Sequence, residues 1–107
     1  MEMKFDEILN ATREWFNNIK SNYSSKITIE IVQNNDVMLH VFFETETHIS
    51  ELIVNQPYFA PYRYVSFMVM DIKQELPEPV FCYYDNDLCT ASDIINKLNA
   101  GIEATLL

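Results

Sequence analysis

Glycine is nearly absent from this chain: 107 residues contain one, Gly101. A phosphate-cradling loop needs several glycines ahead of a helix, so no nucleotide cofactor is expected. Cysteine is scarce as well. Cys82 and Cys89 are too few for a disulfide framework, which fits reduced thiols in a cytoplasm. No apolar run approaches the ~20 residues that cross a bilayer. The longest, such as Phe67-Met68-Val69-Met70, have the length of a strand. Residues 1–6 carry neither a basic nor an apolar leader segment, so a cytoplasmic protein with no membrane partner is expected.

Positive charge is the third shortage. Seven Lys+Arg stand against 16 Asp+Glu, a formal net charge of -9. Residues 1–26 are balanced, and residues 27–62 and 74–96 contain no Lys or Arg at all. Such a field repels nucleic acid and anionic lipid and speeds the approach of basic partners. Solubility alone is the bland account of the same charge.

What is present is apolar material. A hydrophobic fraction of 49% with 13% aromatics is enough to give a chain of this length its own core, so residues 1–107 read as a single domain rather than a disordered tail. Phe5, Ile8, Leu9, Thr12, Phe16, Ile19 and Tyr23 recur at three- and four-residue spacing, which predicts an amphipathic helix over 3–23, with Trp15 beside the stripe. Period two then takes over. Residues 26–33 and the run Val37–Glu44 alternate around the turn residues Asn34-Asn35-Asp36, predicting a hairpin. Further strands are predicted over 48–54, 63–72 and 80–84, separated by the proline-bearing segments 55–62 and Leu76-Pro77-Glu78-Pro79. A last helix is predicted over 92–104, capped by Thr90 or Ser92 and weakened near its end by Gly101. The fold class is therefore α+β: an N-terminal helix, about five mostly antiparallel strands and a C-terminal helix, arranged as a two-layer sandwich. Both faces of the second and fourth strands carry apolar residues, so the face away from the helices must be covered or used for binding.

No residue set calls for catalysis. Cys82 lies mid-strand among aromatics and reads as a buried small hydrophobe, with no signature joining it or Cys89 to His40 or His48. Glu44, Glu46 and His48, or Asp85 and Asp87, lack metal-ligand spacing, so no metal is expected. The segment Gln56-Pro57-Tyr58-Phe59-Ala60-Pro61-Tyr62-Arg63-Tyr64 stands out, because Tyr, Phe and Arg are enriched at binding hot spots. The alternative is an aromatic lid folded onto the sheet edge.

These features suit a protein inhibitor rather than an enzyme. Glu44, Glu46, Glu51, Asp85 and Asp87 are candidates for the phosphate-binding positions of a basic, nucleic-acid-processing partner, with Tyr58, Phe59 and Tyr62 as apolar anchors. In size, charge and element order the whole chain resembles the small acidic immunity proteins of bacterial contact-dependent growth inhibition and related polymorphic toxin systems. That resemblance implies a cytoplasmic protein that blocks one cognate toxin, frequently an RNase or DNase. The alternative from another class is a small acidic adaptor or regulatory subunit with no toxin partner.

Overall fold

The computed structural model describes residues 4–74 and 78–107. Met3, the expected first residue of the N-terminal helix, and Leu76-Pro77 of the second proline break lie outside the described residues. Helix α1 (Phe5–Tyr23) buries Phe5, Ile8, Leu9, Thr12, Trp15, Phe16 and Ile19, so Trp15 does widen the apolar stripe. Asp6 and Glu7 in its first turn and Lys20 in its last complement the helix dipole. Thr12 is tolerated inside because its hydroxyl donates to the Leu9 carbonyl at 2.9 Å.

Strands β1 (Thr28–Asn34), β2 (Leu39–Glu44), β3 (His48–Val54), β4 (Val65–Asp71) and β5 (Pro79–Tyr84) follow. They form one sheet in chain order, each neighbour antiparallel to the last. β2 begins two residues later than the alternation suggests. The Asn35 side-chain oxygen accepts from the Val37 and Met38 backbone N–H groups at 2.9 and 3.0 Å, which holds both residues in the turn. Arg13 of α1 secures that turn from outside, donating to Asn34 Oδ1 at 2.9 Å and to the Asn35 carbonyl. Pro79 opens β5, which is an edge strand, where its missing N–H is tolerated.

Helix α2 (Ala91–Leu106) is longer than the expected 92–104 at both ends. Its cap is Thr90, not Ser92. The Asp93 N–H donates to Thr90 Oγ1 at 3.2 Å while the Thr90 N–H donates to Asp93 Oδ2 at 3.0 Å, a reciprocal capping box. The exposed Asp93 carboxyl is held below its ordinary range by the backbone N–H of Thr90 first and its side chain second.

Both helices lie on one face of the sheet. Trp15 and Phe16 meet the Phe43 ring edge-on at 6.1 and 6.0 Å, and Trp15 reaches Phe67 at 6.2 Å. The helices are tied together where Trp15 Nε1 donates to Asn99 Oδ1 at 2.8 Å. At the far end of α2, the Thr105 and Ser50 hydroxyls meet at 3.1 Å and Thr45 Oγ1 donates to the Thr105 carbonyl at 3.0 Å. Leu39, Val41, Phe43, Leu52, Val54, Val65, Phe67, Ile94 and Leu98 fill the space between the layers. Each contributes roughly 1.5–3 kcal/mol by leaving water, so this side of the sheet carries the stability. The architecture is the expected two-layer α+β sandwich.

Cys82 is not buried: Met68 pairs with Cys82, and the thiol lies exposed on the face of β5 away from the helices. Phe81 and Tyr83 occupy the inward positions of that strand and pack against the core. Both cysteines are free.

Candidate protein-docking face

Alternation along each strand and the pairing register together define the sheet face opposite the helices. Its central row runs Glu30, Phe42, Glu51, Met68, Cys82 across β1 to β5. The row toward the start of β3 runs Thr28, Glu44, Ile49, Met70, Pro79, and the other outer row runs Gln33, His40, Ile53, Ser66, Tyr84. No described element covers this face. Phe42, Ile49, Ile53, Met68 and Met70 are half-buried there. A shallow groove of about 110 Å³ runs between Phe42, Ile49, Glu51, Met68 and Met70. Beside it His40 Nε2 lies 2.7 Å from Glu51 Oε2, and the His40 and Phe42 rings are 5.3 Å apart.

The charge on this face has one sign. The face carries Glu30, Glu44 and Glu51, and the five strands contain no Lys or Arg. All seven cations sit elsewhere: Lys4 before α1, Arg13 and Lys20 in α1, Lys97 in α2, and Lys26, Arg63 and Lys73 in connections.

The residues expected to contact a partner do not form one patch. Glu44 and Glu46 are exposed at the β2–β3 turn, where they line a depression with Ser24, Ser25 and Lys26. Tyr58, Phe59, Tyr62, Asp85 and Asp87 lie at the opposite end of the sheet, about 20 Å away along β3. Glu51 stands between them on the uncovered face. Tyr58 and Phe59 are 94% and 92% exposed, their rings 5.6 Å apart and in contact with each other. Asp87 is exposed in the turn before α2.

Tyr62 is different. Its ring stacks on Tyr84 at 5.9 Å and its hydroxyl donates to Asn55 Oδ1 at 3.1 Å, which bends the β3–β4 loop toward the uncovered face. Burial raises the Tyr62 hydroxyl pKa, the Asn55 bond opposes the rise, and the nearby Glu51 and Asp85 charges add to it. The Tyr84 hydroxyl is also raised, by its hydrogen bond with the Cys82 thiol first. On the inner side Tyr83 is raised well above its ordinary value by burial and by its 3.4 Å contact with Cys89 Sγ. Tyr62 therefore belongs partly to the lid reading: it fastens the loop, and leaves Tyr58 and Phe59 projecting.

Asp85 must be withdrawn from the partner-facing set. It is 1% exposed. Oδ1 accepts from the Tyr64 and Val65 N–H groups, both at 2.8 Å, and Oδ2 meets Arg63 Nε at 3.4 Å. The Arg63 guanidinium in turn lies 4.7 Å over the Tyr64 ring. Asp85 is thus a structural brace that joins the end of β5 to the start of β4, and Arg63 is its counter-charge rather than a surface anchor.

Among the described residues no group of three or more His, Cys, Asp or Glu could hold a metal ion, and no helix is long and apolar enough to cross a membrane. Comparisons with protein-family models, curated proteins and solved structures give no significant match.

Proposed function

We propose that this chain is an inhibitor protein of the immunity type, which binds and neutralises a basic toxin, a nuclease domain, in the cytoplasm of the cell that makes both. One observation carries the reading: an uncovered, half-apolar sheet face bears carboxylates and no cation, while every Lys and Arg lies off the strands. A surface of this kind suits a protein whose own surface is cationic, as a nuclease must be to hold a phosphate backbone. Sign complementarity accelerates capture, and the apolar floor and the projecting Tyr58 and Phe59 supply the contact that slows escape.

Co-expression tests the proposal. The basic protein encoded beside this chain should arrest growth when produced alone, lose that effect when the chain is present, and purify with it as a salt-sensitive complex. If the neighbouring product is harmless, or stays toxic and unbound, the inhibitor reading falls and the adaptor reading replaces it.

A further inference from the structure

We infer that Phe42 is the centre of a recognition site for an arginine side chain of the basic partner, with the arginine stem in the Phe42–Met68–Met70 groove and its guanidinium against the ring and Glu51. The inference rests on the partner class proposed above and adds the site and the side chain it receives.

The register makes the case. On the uncovered face each residue has two neighbours along its strand and one on either side, across gaps of about 4.8 Å. For Phe42 these four are His40 and Glu44 on β2, Glu30 on β1 and Glu51 on β3. An aromatic ring is therefore bordered by three carboxylates and a histidine, with an apolar groove of about 110 Å³ leading from it across Met68 and Met70. Arginine matches every part of this. Its aliphatic stem lies well along apolar surface, its planar head stacks on an aromatic face, and its donors fork onto a carboxylate. Glu51 is already steered by His40 at 2.7 Å, yet a carboxylate has about four acceptor positions and can take a guanidinium as well.

Other occupants fit worse. A second copy laid face to face would set Glu30, Glu44 and Glu51 against a face that carries the same carboxylates and no Lys or Arg, between two chains of net charge -9. Nucleic acid and anionic lipid are repelled by the same sign. A purely apolar partner would bury those carboxylates without pairing them, which is costly.

The site can be tested without the natural partner. The full chain, labelled at backbone nitrogen and at methionine methyl groups, is titrated with an octa-arginine peptide at low salt. The Met68 and Met70 methyls and the Phe42 and Glu51 amides should shift, while the Met38 methyl, outside the groove at the β1–β2 turn, stays put. Glu51→Gln and Phe42→Leu should each weaken binding at least about five-fold, the scale of one lost cation–π or charge-assisted contact. Glu103→Gln removes the same charge from α2 and should change affinity less than about two-fold, since it alters only the general field. Phe42→Leu keeps the apolar floor, and a melt of each variant confirms that it is folded. Equal losses for Glu51→Gln and Glu103→Gln, or unshifted Met68 and Met70 methyls at saturation, would overturn the site. Failure here leaves the inhibitor reading to the co-expression result, and failure there leaves this titration intact.

Discussion

Gly101 of α2 lies so close to the Phe67 ring that an added Cβ would stand 2.5 Å from Cε2 and 2.7 Å from Cδ2. The chain's only glycine is thus what lets α2 descend onto β4, and its low helix propensity is the lesser effect. Alanine there gains about 1 kcal/mol of propensity. Against that stands overpacking of a ring that is fully buried, worth roughly 1–3 kcal/mol.

Gly101→Ala should therefore lower the melting temperature, contrary to the usual effect of replacing a helical glycine. Phe67→Leu is itself destabilising, since it opens a cavity, but in that background Gly101→Ala should cost less than in the parent, because the ring edge that clashes is gone. Thermal melts of the single and double variants check this, and a stabilised Gly101→Ala would show that α2 does not sit this close.

The brace at Asp85 makes a second expectation. Asp85→Ala strips two backbone donors and the Arg63 charge of their acceptor in a site closed to water. The loss should be about 3 kcal/mol, the scale for removing one partner of a buried pair, and chemical denaturation measures it. Asp85→Asn keeps one oxygen at the backbone donors and should cost less. A variant as stable as the parent would return Asp85 to the list of surface acids.

Asp93 makes the stability of the fold depend on pH. Its folded pKa lies below the unfolded value of 3.8, so the cap stabilises the fold above that pH and the benefit is lost as pH falls through the lower, folded value. The stability difference between the chain and Asp93→Asn should be present at neutral pH and close on acidification below 3.8. A difference unchanged down to the acid limit would mean that the carboxylate charge plays no part in the cap.

Tyr58→Ala and Phe59→Ala should leave stability within about 0.5 kcal/mol, since both rings are almost wholly exposed and pack on each other. Any loss of affinity for a partner is then a lost contact and not a weakened fold. Paired melting and binding measurements separate the two. Unchanged binding would place the interface on the sheet face alone.

Much of this fold was legible because local pattern and tertiary burial agree. β3 spans His48–Val54 as the alternation predicts, and the α1 stripe from Phe5 to Ile19 is the face that is buried. What stayed hidden depends on register and depth. Glu30, Phe42 and Glu51 are 12 and 9 residues apart in sequence and become neighbours only through two hairpins, one of which shifts register between Ile31 and Gln33. Asp85 opens an Asp-Asn-Asp run that reads as a solvated turn, and only the fold reveals that its carboxylate turns back onto Tyr64 and Val65. The aromatic neighbours of Cys82, Phe81 and Tyr83, face the other way, so their apolar character carries no information about the side on which the thiol lies.

Because both helices pack on one side, the two surfaces of the sheet answer to different demands. Phe43, Leu52 and Phe67 cannot change without opening a cavity or forcing a clash. Phe42, Glu51 and Met68 occupy the alternate positions on the same strands and border water. Exchanges among them cost the fold little. The outer alphabet of the strands can be rewritten letter by letter while the inner one is kept, so tolerance to substitution alternates residue by residue along a single strand.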